Sequence, residues 1–142
     1  MDPIYQHLRI NHFPVILGIV AFAAAALALF VKRDGAWRYA CITAILAAAS
    51  APIAYWTGLR AEDKAEGIDW YDAYSMGEHG DIALWAMIAL LAAGIAAGVA
   101  LMKPKPLTRW IFLVCAAATA GLVVWCGYEG GHIVRDVTTR EE

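Results

Sequence analysis

The sequence predicts an all-α integral membrane protein, a single domain over residues 1–142 folded as an up-down-up-down four-helix bundle. Two observations predict it: 61% of the residues are hydrophobic, and the apolar residues gather into four long runs. These runs are residues 13–31, 37–56, 82–102 and 110–127. Each is close to the roughly 20 residues that a helix needs to cross a bilayer core. Charged residues occur only near the ends of the runs, which favours lipid over a soluble core as their surroundings.

A short segment with its own helix signals precedes the first run. Asp2 and Pro3 are the typical N-cap and first residue of a helix, which predicts a short helix to about Asn11. Pro14 disfavours helical backbone at the residue before it, so we expect the chain to bend there. The first run is too long for a signal peptide and no basic segment precedes it, so we expect it to be retained.

The connections between the runs alternate in length. Residues 32–36 and 103–108 are short, so each joins two antiparallel helices, and both lie on one side of the membrane. The opposite side holds the N-terminal segment, residues 57–81 and the C-terminal tail. Pro52 removes a backbone donor from the second run, and we expect it to kink that helix near the opposite side.

Basic residues predict the orientation in the membrane. The two short connections and their flanks carry Lys32, Arg33, Arg38, Lys103, Lys105 and Arg109. The other side carries Arg9, Arg60, Lys64, Arg135 and Arg140, spread over three longer segments. Lysine and arginine close to membrane helices favour the cytoplasmic side. We therefore expect a multi-pass protein of the bacterial inner membrane, with cytoplasmic short loops and both termini in the periplasm.

All four histidines fall at the end of the bundle opposite the short loops. They are His7, His12, His79 and His132. Imidazole is a common ligand of haem iron and of other transition metals. Two imidazoles fill both axial positions of a haem iron and favour electron transfer. No Cys-x-x-Cys-His motif occurs, which excludes covalent c-type attachment. A membrane b-type cytochrome that acts in electron transfer is the first hypothesis.

The depth of the histidines along the helices predicts how they pair. His12 begins the first run and His79 precedes the third, and the two helices run parallel, so we expect these two residues to form one axial pair. His7 lies five residues before His12, which separates them by about 140° around a continuous helix. His7 and His132 are therefore predicted to hold a second haem b, and two haems are favoured over one.

Three arginines at the histidine end are predicted to bind the haem propionates, because arginine pairs with carboxylates in a bidentate fork. They are Arg9, Arg60 and Arg135. Abundant alanine, and glycines such as those of Gly94-x-x-x-Gly98, let membrane helices pack closely or leave room for a flat macrocycle. The same small-residue faces favour a homodimer. With both haems near the periplasmic face, we expect exchange of electrons with quinol or with a periplasmic carrier.

Two other functional classes remain open. The four histidines and nearby carboxylates are also the ligand types of a zinc or copper site. The carboxylates are Glu78, Asp81, Glu129 and Asp136. A structural accessory subunit of a membrane complex is the other class, and it leaves the histidine clustering unexplained. The net charge of -2 and the lack of a basic tract argue against nucleic acid. No catalytic constellation is visible, so an electron-transfer protein is predicted rather than an independent enzyme.

Short motifs resemble a widespread family of small bacterial four-helix membrane proteins with a His-Phe-Pro start. The motifs are His12-Phe13-Pro14, the segment Ala54-Tyr55-Trp56-Thr57-Gly58, His79 before the third run, and Gly130-Gly131. The resemblance covers nearly the whole chain and implies the same fold. The family is mostly of unassigned function, so no activity is implied. Its members often carry a histidine after Gly-Gly-x-x-Val-Tyr, whereas here His132 follows Gly-Gly directly.

The predicted topology has a direct test. A reporter that is active only in the periplasm should be active when it is fused after Glu142, because the short basic loops favour the cytoplasm. The matched control is a fusion within the loop at residues 103–108, which should be inactive. Activity of a cytoplasm-only reporter after Glu142 would overturn the assignment.

Overall fold

The structure is a computed structural model that describes residues 2–31, 33–68 and 72–140, with residues 134–140 described by backbone alone. The described chain is helical over five segments, α1 Pro3–Ile10, α2 His12–Val31, α3 Asp34–Ala65, α4 Ala73–Met102 and α5 Pro106–Arg140. The predicted N-cap is confirmed: the Asp2 carboxylate accepts a hydrogen bond of 2.8 Å from the backbone N–H of Ile4, and Pro3 begins α1.

The four long helices form a closed bundle, as the sequence predicts. Each helix from α2 to α5 packs against the next one in the chain, and α2 also packs against α5. Four segments of the described chain are long and apolar enough to cross a membrane: Pro3–Val31, Asp34–Ala65, Ala73–Met102 and Pro106–Ile133. The protein is therefore an all-α four-helix bundle of the multi-pass membrane type.

The helices extend beyond the apolar runs. α3 continues through Pro52 to Ala65, and α4 already begins at Ala73, so most of the segment 57–81 is helical. The two short connections leave little chain outside the helices, and the end of the bundle that holds them is called the short-loop end below. Lys32, which contributes to the predicted basic loop, lies outside the described residues.

At the short-loop end an ion pair joins the first turn of α5 to the start of α3. The Arg109 guanidinium of α5 contacts the Asp34 carboxylate at the start of α3, with 2.7 Å between nitrogen and oxygen. The same guanidinium lies over the Trp37 ring, and Trp37 packs edge-on against Phe112. The pair is largely exposed on the Asp34 side, so it aligns the helix ends and contributes little to stability.

Most of the buried core is alanine. Larger fully buried side chains among the described residues are few, Phe112 and Val123 being the largest of the apolar ones. Membrane helices gain little from hydrophobic burial against one another, and small residues let their backbones approach closely. The closest such approach joins α3 and α4, where Gly94 lies directly against the Cβ of Ala48.

The two halves of the bundle bury corresponding positions. The buried residues of α2 are Pro14, Gly18, Ala21, Ala25 and Ala28, and each is matched 72 positions later in α4 by Ala86, Leu90, Ala93, Ala97 and Ala100. The same offset of 72 relates Ala40, Ala44, Ala47, Ala48 and Ala51 of α3 to Phe112, Ala116, Thr119, Ala120 and Val123 of α5. The chain is thus two similar helical hairpins, α2–α3 and α4–α5, that bury corresponding positions.

The contact at Gly94 predicts a stability difference between two glycines of one helix. Gly94→Ala places a methyl group where the Cβ of Ala48 already lies, so it should lower the free energy of unfolding by about 1–3 kcal/mol. Gly98→Ala is the control, because nothing lies within 4 Å of the added carbon. Unfolding in mixed micelles, followed by loss of helical circular dichroism, measures both. Equal stability of the two variants would contradict the close packing of α3 on α4.

Candidate functional site

The first histidine of the site is His7 on α1. The short helix α1 packs against α3, which brings the His7 ring to the last turns of α3. Nδ1 of His7 lies 3.2 Å from the buried hydroxyl of Thr57. The ring also interacts with the backbone of Ala54. Its Cε1 edge faces Gly58 so closely that a Cβ on that glycine would come within 3.1 Å of it.

The second histidine is His79, in the first turns of α4. Its ring faces Gly130 of α5, where an added Cβ would lie 3.0 Å from Cε1. Nδ1 of His79 is 4.0 Å from Sγ of Cys126, and the ring interacts with the Cys126 backbone. The carboxylate of Glu129 lies near enough to interact electrostatically with the ring.

The two histidines occupy equivalent positions, and each ring together with the glycine that it faces is called a histidine seat below. His7 precedes Gly58 by 51 positions, and His79 precedes Gly130 by the same 51. In both cases the Cε1 edge of the ring faces the glycine of the helix that ends the hairpin. The backbone residues that contact the rings, Ala54 and Cys126, are also related by the offset of 72. A side chain at either glycine would press on the ring, because its Cβ would lie 3.0–3.1 Å from Cε1.

The two seats lie at the same end of the bundle, called the histidine end below. His7 and His79 come from different halves of the chain and interact electrostatically. Both rings are partly buried. Each half of the chain therefore contributes one imidazole to this end.

His12 does not lie with this pair. Its side chain is exposed, and its Nδ1 contacts the backbone carbonyl of Leu8 at 2.6 Å. His7 and His12 lie on different helices, α1 and α2, and His7 is the more buried of the two. The geometry therefore favours His7, and not His12 as the sequence suggested, as the neighbour of His79.

His132 lies two residues beyond Gly130 on α5. Its ring packs edge-on against Tyr128, with 4.4 Å between ring centroids. Trp125 is on the same helix face and, like Tyr128, is more than half exposed, so this face is open.

The other predicted site residues surround the histidine end. Arg9 is exposed on α1, and the Arg60 guanidinium lies 3.9 Å from the centre of the exposed Trp56 ring. Glu78 accepts a hydrogen bond from the Tyr74 hydroxyl, and Glu129 accepts one from Trp125 Nε1. The Arg135 and Asp136 side chains lie outside the part of the chain that the structure describes, and Asp81 is exposed at the start of α4.

The sequence did not predict that Thr57, Gly58 and Gly130 contact the two rings. These residues were noted only as parts of short motifs. The signal that identifies them is the equal spacing from histidine to glycine in both halves of the chain. That spacing follows from the repeat of the hairpin. The two halves of the chain share few identical residues at equivalent positions, so the repeat is hard to see in the sequence.

A comparison with protein-family models, with curated proteins and with solved structures gives no match to this chain. The resemblance of its short motifs to the His-Phe-Pro family therefore stays a prediction. The function has to be argued from the geometry of the site.

The seat of His79 predicts a local effect of one methyl group. Gly130→Ala should displace the His79 ring, because the added carbon would press against Cε1. The imidazole ¹⁵N and ¹³C chemical shifts of His79 should move in a histidine-labelled sample. Gly127→Ala is the control, since nothing lies within 4 Å of a Cβ at that position. If the two variants leave the His79 signals equally unchanged, the ring does not lie on Gly130.

Proposed function

We propose that the protein is a membrane b-type cytochrome whose His7 and His79 are the two axial ligands of one haem b. The observation that carries the proposal is that two histidines in equivalent seats, one from each half of the chain, lie at the same end of the bundle and interact electrostatically. A haem iron takes one imidazole on each face of its macrocycle. Two like ligands, one from each half, match that requirement.

The polar contacts of the two rings also suit iron ligation. A ligating histidine typically binds through one ring nitrogen and directs the other to a carbonyl or a similar acceptor, which fixes its orientation. His7 has Thr57 and the Ala54 backbone on its α3 side, and His79 has the Cys126 backbone on its α5 side. The rings are held by their own hairpins, and the remaining nitrogens are left for a shared ligand.

A haem suits the donor set better than zinc or copper. Structural zinc usually takes four protein ligands, and catalytic zinc three. Among the described residues no group of three or more histidine, cysteine, aspartate or glutamate side chains could hold a metal ion. Two axial donors are sufficient for a haem, because the macrocycle supplies the other four.

The geometry favours one haem, where the sequence alone favoured two. His12 is exposed and His132 packs against Tyr128, so we take His7 and His79 as the pair. Arg9 and Arg60 lie at the same end, in reach of solvent, and are our candidates for the propionates; Arg60 would have to leave Trp56 or use its outer face.

The position of the pair defines the role that we propose. The histidines lie near one face of the membrane, and the rest of the bundle has no histidine. Electrons would therefore be exchanged with quinol or a soluble carrier at that face and would not be carried across the bilayer. Positively charged short loops favour the cytoplasm, so we assign the opposite face, which holds the histidines, to the periplasm. A second copy of the chain is a further candidate partner, because Gly98 of α4 faces open space.

Alanine substitutions separate this pairing from the one that the sequence suggested. His7→Ala and His79→Ala should each abolish the low-spin bis-imidazole spectrum of the purified protein, because each removes one axial ligand. His12→Ala is the matched control, as it removes an exposed histidine five residues away on the same side of the membrane. Circular dichroism checks that the helices survive in all three variants.

The outcomes decide between the hypotheses. Loss of the spectrum in His12→Ala with its retention in His7→Ala would restore the pairing of His12 with His79. A full, unchanged spectrum in all three variants would exclude both pairs. A colourless unsubstituted protein that retains zinc or copper after dialysis would favour the metal-site alternative.

A further inference from the structure

The hydroxyl of Thr57 makes two hydrogen bonds at the base of the His7 seat. Thr57 is 2% exposed, one of the most buried polar residues described. Its hydroxyl donates to the backbone carbonyl of Ala54, with 2.8 Å between the oxygens. The same oxygen lies 3.2 Å from Nδ1 of His7. A hydroxyl has one proton to donate and two lone pairs that accept.

With its proton given to the Ala54 carbonyl, the Thr57 oxygen is placed to accept a hydrogen bond from Nδ1 of His7. A nitrogen that donates to it must carry the ring proton, so Nδ1 is protonated and Nε2 keeps its lone pair. We propose that Thr57 is a positioning residue that fixes the tautomer of His7 and so prepares Nε2 as an iron ligand. The use of Nε2 rests on the proposed haem function, whereas the assignment of the tautomer does not.

The second hairpin carries different groups at the equivalent places. Glu129 follows Thr57 by the offset of 72, and Cys126 follows Ala54 by the same offset. Glu129 interacts electrostatically with His79, and its carboxylate accepts from Trp125. The two ligands are therefore supported by unlike partners, a neutral hydroxyl for His7 and a nearby carboxylate for His79. The Ala54 backbone also interacts with the His7 ring, so substitution of Thr57 tests what its hydroxyl adds.

The tautomer can be measured without haem. We would record the ¹⁵N chemical shifts of the His7 ring in the full-length, histidine-labelled chain, purified in micelles without added haem and held at a pH where the ring is neutral. The expected result is protonated Nδ1 and unprotonated Nε2 in the unsubstituted protein and in Thr57→Ser. Thr57→Val keeps the shape, removes the acceptor and should give a mixture of both tautomers.

Thr43→Val is the matched control. Thr43 is also buried in α3, and its hydroxyl donates to the Tyr39 carbonyl at 2.9 Å without contacting a histidine. The Thr43→Val variant shows the effect of losing a buried threonine hydroxyl that does not contact a histidine. We expect His7 to keep its tautomer in this variant. Protonated Nε2 in the unsubstituted protein, or an unchanged His7 in Thr57→Val, would overturn the proposal.

A second measurement links the tautomer to ligand binding. Loss of a partner that orients a metal ligand typically weakens binding about 10–100-fold. Haem titrated into Thr57→Val should therefore bind about 10–100-fold more weakly than into Thr57→Ser or Thr43→Val. Equal affinity in all three would show that Thr57 does not prepare the ligand. If no form of the chain binds haem while the tautomer result holds, the proposed function fails and the assignment of the tautomer stands.

Discussion

The close approach of helix backbones through alanine and glycine is the constraint on which the rest of the structure depends. In lipid the helices gain little by burying apolar surface against each other, so contact has to come from packing at short range. Gly94 against Ala48 fixes α4 on α3, and rows of alanine line the remaining seams. The same constraint continues at the histidine end, where Gly58 and Gly130 face imidazole rings on which a side chain at either glycine would press.

The internal repeat of the hairpin explains why the site has two similar halves. Each hairpin buries corresponding positions and carries, in its second helix, a glycine that faces a histidine from the start of its own half. Packing the hairpins against each other places both rings at one end of the bundle without a dedicated binding loop. The halves then differ in the groups that support the rings, Thr57 in one and Glu129 in the other. This difference would give a bound haem two chemically distinct axial ligands.

The sequence predicted the bundle, the helix order and the end that holds the histidines, because apolar run length and connection length are local signals. It also predicted that His7 and His12 point in different directions. It did not predict which one faces inward, since that depends on how α1 packs against α3, a contact between distant parts of the chain. The predicted apolar runs were shorter than α3 and α4, because polar helical turns at the histidine end carry no apolar signal. The equal spacing of His7 to Gly58 and His79 to Gly130 becomes meaningful only once the two hairpins are seen side by side.

The claim that one haem lies between the two hairpins is tested most directly on the unsubstituted protein purified from haem-replete cells. Pyridine haemochrome analysis gives the ratio of haem to protein, and the reduced spectrum shows the state of the iron. The account predicts a ratio near one per chain and the sharp paired bands of a low-spin, bis-imidazole haem after addition of dithionite. A ratio near zero, in a protein that is folded and helical, would contradict it.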